Sequence, residues 1–242
     1  MLNKVRPSGN VLKIIACISM LIDHAGLMLF PDLVWMRWIG RLAFPIFAFL
    51  ISEGCRYTKN KLRYFLTVFL LGVVCQIAYQ VAYPTDQYFG ILITFSISIL
   101  LIYTLQFAKK TLINGNGLLV KILAVLPFVL ALVGAYYFCF QYEVDYGFMG
   151  CILPLFGAIV DFKDIKALER VDKPITRTLF FSIGLILYYL QSTQKVLTVY
   201  ALLAIPLLLI YNGKRGRAKL KYLFYIFYPL HLLVLAGLQQ II

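Results

Sequence analysis

Asp23 and His24 stand side by side inside an apolar run, Lys13 to Phe30. A charged side chain placed centrally in such a run costs roughly 2.5 to 3.5 kcal/mol to bury in a bilayer, so it is either compensated or used. An imidazole titrates near working pH, so at this depth His24 can serve as a general base. The alternative is a buried histidine hydrogen-bonded to a neighbouring carbonyl.

Other residues fall into relation with this pair by spacing. On a helix Asp23 points about 100 degrees away from His24, so it does not orient that imidazole without distortion. Lys13, eleven residues earlier, shares the face of His24 within about 20 degrees and lies ~16 Å away along the axis. Arg41, on the next apolar segment, falls at a depth close to that of Asp23. An Asp23 with Arg41 ion pair would make both charges tolerable, and as a chemical group Arg41 would hold an acceptor carboxylate or polarise a carbonyl. Glu53, Asp145 and His231 are further candidates for acceptor binding or support. Lys13, Arg56 and Lys59 lie where a basic rim could attract phosphates, although ordinary topology charge explains such residues as well.

These residues must be positioned by helices in a membrane. The 242-residue chain is 62% hydrophobic and 14% charged, and its mean hydropathy is +0.87, far outside the soluble range. The expected fold is all-α, a polytopic helical bundle in one domain spanning 1–242. Nine apolar stretches read as spans: about 11–31, 38–55, 64–82, 91–107, 118–140, 146–160, 177–193, 196–211 and 222–241. The sixth is short and contains Pro154 and Gly157, which makes it the weakest span.

The net charge of +13 suggests nucleic acid until its distribution is considered. With a cytoplasmic N-terminus, 20 of the 23 basic residues fall on the cytoplasmic side, from Lys4 and Lys13 through Lys166 to Arg217 and Lys219. Arg37, Arg41 and Lys195 remain near the outer face. That asymmetry predicts a C-terminus outside and excludes nucleic acid as the reason for the charge. Trp35 and Trp38, the only tryptophans, fit the outer interfacial belt, and the turn containing Tyr83, Pro84 and Asp86 faces the same side. Ser8 or Asn10 could cap the first helix, and Pro174 suits a first helical turn. The five cysteines read as unpaired, with no metal-ligand spacing. No Gly-rich phosphate loop or Gly-x-Ser-x-Gly elbow is present. No metal is expected.

The motifs that carry a resemblance are Leu12-Lys13-Ile14-Ile15-Ala16 running into Met20-Leu21-Ile22-Asp23-His24, then Gly40-Arg41-Leu42-Ala43-Phe44-Pro45 with Glu53-Gly54 and Arg56-Tyr57. Asp145-Tyr146-Gly147 and Tyr228-Pro229-Leu230-His231 extend it. On these residues the chain resembles the TraX family, membrane proteins associated with acetylation of conjugative pilin and similar to the type-three membrane acyltransferases. In that wider group a basic residue, usually Arg, precedes an essential first-helix histidine with ten residues between them. Lys13 and His24 reproduce the spacing with Lys in place of Arg.

The resemblance implies acyl transfer, with acetyl-CoA or another acyl-CoA as cytoplasmic co-substrate. The acceptor would be extracytoplasmic: a peptide or pilin N-terminus, a glycan or a lipid. The implied location is the inner membrane of a bacterium. His24, with Asp23 and Arg41, would form the catalytic group. Two other readings remain open at this point: a small transporter with an intramembrane relay, and a non-catalytic pilus-assembly factor.

Overall fold

A computed structural model describes residues 6–82, 88–163, 165, 168, 170–216, 218 and 220–241. Lys4, Tyr83, Pro84, Asp86, Lys166, Arg217 and Lys219 lie outside the described residues. The chain is almost wholly helical. Its helices are α1 (Gly9–Met28), α2 (Val34–Gly40), α3 (Ala43–Tyr57), α4 (Lys61–Ala82), α5 (Ile91–Asn114), α6 (Leu118–Gln141), α7 (Gly147–Ile159), α8 (Pro174–Gln191), α9 (Lys195–Thr198), α10 (Ala204–Leu209) and α11 (Lys221–Gln239). A 3-10 turn, Val199–Leu203, joins α9 to α10. Two two-residue strands, β1 (Tyr88–Phe89) and β2 (Glu143–Val144), pair in parallel, Tyr88 with Glu143 and Phe89 with Val144.

All nine expected stretches are helical. Among the described residues four segments are long and apolar enough to cross a membrane: Gly9–Met28, Val34–Tyr57, Ile91–Asn114 and Leu118–Gln141. Gly147–Ile159, Lys195–Leu209 and Leu223–Gln239 are shorter apolar segments. At a rise of 1.5 Å per residue, the 13 residues of α7 span only about 20 Å, short of a ~30 Å hydrocarbon core.

One stretch differs from a simple helical reading. The second stretch is two helices, because Pro45 has no N–H for the carbonyl of Arg41 and the chain breaks at 41–42 before α3 begins. His231 lies in the middle of α11, two turns beyond Phe224.

The chain forms two compact units, Met1–Leu50 with Leu185–Ile242, and Ile51–Gly184. In the first, Ser8 is the N-cap of α1, its Oγ 3.5 Å from the amide of Val11. Asn10 does not cap; its side-chain amide donates to Ala218 O at 2.7 Å. The amides of Gly9 and Asn10, orphans at a helix start, donate to the carbonyls of Lys214 and Arg215 at 2.8 and 2.9 Å. Neighbouring positions along α1 and along α11 with the segment leading into it advance together: Asn10 meets Ala218, the Lys13 ammonium lies 5.4 Å from the Phe224 ring centre, and His24 meets His231. The two helices therefore run in the same direction.

In the second unit α5 is central and packs against α4, α6 and α7. Its buried polar face is satisfied locally: Ser98 Oγ lies 2.7 Å from Cys151 O on α7, and Thr94 Oγ1 donates to Asp145 O at 2.9 Å. The Gln76 amide on α4 holds β1, donating to Tyr88 O at 2.6 Å and accepting from the amide of Gly90 at 3.1 Å. On α6, apolar side chains such as Leu119, Leu130 and Phe140 are exposed. Water penalises such a surface, whereas acyl chains do not. All five cysteines are free thiols; Cys139 and Cys151 have sulfurs 3.7 Å apart.

Candidate active site

The first unit brings together four residues singled out by sequence, Asp23, His24, Arg41 and His231, and adds Arg37, with Lys13 further along α1. Asp23 is 8% exposed. Arg41 Nη2 lies 3.0 Å from each of its carboxylate oxygens. Arg37 Nη1 donates to Oδ2 at 2.8 Å and to the Asp23 main-chain carbonyl at 3.1 Å. The carboxylate is thus held between two guanidiniums, each charge-assisted bond roughly twice as strong as a neutral one.

The local sequence explains this clamp. The turn at 29–33 sends α2 back along α1, and two glycines permit the close approach. A Cβ at Gly26 would meet the Met36 side chain at 2.7 Å, and one at Gly40 would fall on the Asp23 carboxylate. Arg37 was read from sequence as an outer-face charge. The available signal was its spacing: four residues before Arg41, it shares that residue's side of the helix.

His24 faces α11. Its Nδ1 is 2.9 Å from Nε2 of His231, and the rings meet edge to edge, with centroids 5.0 Å apart and planes inclined at 30°. His231 is 4% exposed, its Nδ1 is 2.9 Å from Phe227 O, and the Phe227 ring stacks on it at 5.0 Å and 8°. His24 is partly exposed. Asp23 takes no part in this pair, in keeping with the angle that separates adjacent residues on a helix. Lys13 stands at the other end of the same face, its ammonium over Phe224.

The second unit holds a separate buried cluster. Glu53, 4% exposed, accepts from Arg177 Nε at 2.9 Å through Oε1, while its Oε2 is buried with no hydrogen-bond partner among the described residues. Arg177 Nη1 reaches Asp172 Oδ1 at 2.6 Å. Arg56 Nη1 bonds both Asp161 and Asp172. The second oxygen of Asp161 accepts from Gln106 at 3.0 Å. Lys109 Nζ donates to the carbonyls of Ala158, Ile159 and Asp161 at 3.0, 2.8 and 2.7 Å, closing the C-terminal end of α7 with a cation.

The partners of Glu53 and Arg56, namely Arg177, Asp161 and Asp172, are not legible in the sequence, because each lies more than a hundred residues from the group it pairs with and leaves no local spacing. A phosphate-facing rim fits Arg56 poorly, since its guanidinium already bonds two carboxylates. Lys59 is exposed on the turn before α4. Asp145 contributes through its backbone, its amide donating to Phe89 O at 2.8 Å and its carbonyl accepting from Thr94. Among the described residues no group of three or more His, Cys, Asp or Glu could hold a metal ion.

Fold and site define a helical membrane protein with a pair of imidazoles, one buried and one partly exposed, and a carboxylate clamped by two arginines. The TraX protein family matches residues 8–239, and the chain belongs to that family. It is 28% identical over 244 residues to a probable fimbrial assembly protein FimC, serogroup H1, of Dichelobacter nodosus, covering 95% of this chain and 94% of the relative. An uncharacterised protein of Rickettsia prowazekii is 44% identical over 68 residues, 28% of this chain and 25% of that protein. No solved structure matches.

Proposed function

We propose that the protein is an integral membrane acyltransferase that moves an acyl group, acetyl in the simplest case, from acyl-CoA to an extracytoplasmic hydroxyl or amine. The observation that carries this reading is the partly exposed His24 imidazole, fixed at Nδ1 by His231 and adjacent in sequence to the Asp23 clamp. The acceptor oxygen or nitrogen attacks the thioester carbonyl carbon while His24 Nε2 takes its proton. The new C–O or C–N bond forms, the C–S bond breaks, and the departing CoA thiolate receives the proton from His24. In the relay variant His24 Nε2 first carries the acyl group and then yields it to the acceptor.

Arg41 and Arg37 add positive charge beside the imidazole, suited to an acceptor carboxylate or a developing oxyanion. Lys13 is assigned to the CoA phosphates as a point charge. The inner membrane of a bacterium, with the N-terminus cytoplasmic and the C-terminus outside, is the proposed setting. It is supported by the one-sided distribution of basic residues and by α1 and α11 running the same way, as the first and last of an odd number of crossings do.

The test is purified protein in nanodiscs with labelled acetyl-CoA, following release of the CoA thiol and any acid-labile acyl adduct. Wild type is expected to turn over. His24→Ala should abolish turnover while leaving insertion and acyl-CoA binding intact, and Lys13→Ala should weaken binding with less effect on rate. Wild-type turnover in His24→Ala would overturn the mechanism. The name of the Dichelobacter relative favours a second reading, a fimbrial assembly factor without catalysis, which predicts no thiol release by wild type.

A further inference from the structure

A catalytic imidazole commonly has its second nitrogen fixed by a carboxylate. Here the nearest carboxylate in sequence cannot serve, because both oxygens of Asp23 are engaged by Arg37 and Arg41. The partner is a second imidazole, and its own surroundings fix the protons. The oxygen of Phe227 can only accept, so the 2.9 Å contact from His231 places a proton on His231 Nδ1. In the neutral ring His231 Nε2 then carries a lone pair. It can only accept from His24 Nδ1, 2.9 Å away, which leaves the lone pair of His24 on Nε2.

We propose that His231 is the positioning residue of a two-imidazole relay, which holds His24 as the Nδ1–H tautomer and receives its charge during the reaction. When Nε2 of His24 takes the acceptor proton, the Nδ1 proton moves to His231 Nε2. The positive charge then rests on a ring whose other N–H still points at the Phe227 carbonyl. One proton enters at His24 Nε2 and one shifts between the rings; it returns when the CoA thiolate takes the proton from Nε2.

His231 is built for holding a fixed orientation. It is buried, stacked on Phe227 and edge-on to Tyr228 at 5.7 Å and 78°, while His24 remains partly exposed. Among the described residues, the titratable and charged groups around the pair are Asp23 from α1, Arg37 from α2, Arg41 just beyond α2, and Tyr228 from α11. The transfer half of this proposal rests on the acyltransferase reading; the tautomer half does not.

The chain contains only two histidines, so selective 15N-histidine labelling of the full-length protein in nanodiscs gives two rings to assign. Long-range proton–nitrogen correlations should show both rings protonated at Nδ1 and bare at Nε2, the less common tautomer of free histidine. His231→Phe should return His24 to the Nε2–H form and lower turnover by about 100-fold with the acyl-CoA KM unchanged. His231→Gln, whose amide oxygen can still accept, should retain the His24 tautomer and restore part of the rate. His24 protonated at Nε2 in the wild type, or its tautomer unchanged by His231→Phe, would overturn the proposal. The stated tautomers in a wild type without CoA thiol release would support the lock and refute only acyl transfer.

Discussion

Removing the Asp23 carboxylate is the perturbation with the most direct consequence for the site. Three of its bonds come from guanidiniums, two from Arg41 at 3.0 Å and one from Arg37 at 2.8 Å. The three side chains are 12%, 15% and 22% exposed, so solvent screens them little. Asp23→Ala leaves two partly buried guanidiniums facing each other without the carboxylate between them. Breaking a buried pair in this way costs about 3 to 5 kcal/mol. Arg41→Met and Arg37→Met each leave Asp23 with one guanidinium, so each should cost less, about 1.5 to 3 kcal/mol. Arg37→Met should fall nearer the lower figure, because it removes one bond to the carboxylate where Arg41→Met removes two.

The assay is equilibrium unfolding in mixed micelles, with the three single variants and the doubles Asp23→Ala with Arg41→Met and Asp23→Ala with Arg37→Met. Each double should be less destabilised than the sum of its singles by at least about 1 kcal/mol, since the second change removes a charge that the first left unpaired. Additivity within about 0.5 kcal/mol in both cycles would refute direct pairing.

Lys109→Met should expose the last carbonyls of α7, costing about 1 to 3 kcal/mol, with faster hydrogen exchange confined to residues 155–163. Arg177→Met should cost about 3 to 5 kcal/mol because it leaves the buried Glu53 carboxylate without its cation and Asp172 with Arg56 alone. Glu53→Gln combined with it should recover part of that loss, and equal stability of the single and double variants would exclude the pair as its source. Reporter fusions after Lys110 and at the C-terminus should read cytoplasmic and extracytoplasmic respectively; the reverse at either place rejects the proposed orientation.

The sequence by itself determined the helices and the inner end of the site. Nine apolar stretches were legible because side-chain hydropathy is a local property and a backbone in hydrocarbon has to satisfy its hydrogen bonds within the helix. Lys13 and His24 on one face followed from helical pitch alone, and the proximity of Asp23 to Arg41 from depth on two consecutive segments. The break at 41–42 was present in Pro45, although the apolar run concealed it.

Only the tertiary structure decided which groups meet over long separations. His24 and His231 are 207 residues apart, and Glu53 and Arg177 are 124. Hydropathy places each of these side chains at a depth and spacing places it on a face, but neither specifies which helices are neighbours. That choice is made by packing: Gly26 and Gly40 let α2 lie against α1, and the parallel contact of α1 with α11 carries His231 to His24. It is why Arg56 and Lys109, indistinguishable from ordinary topology charges in the sequence, are bound to carboxylates and to the end of a helix in the fold.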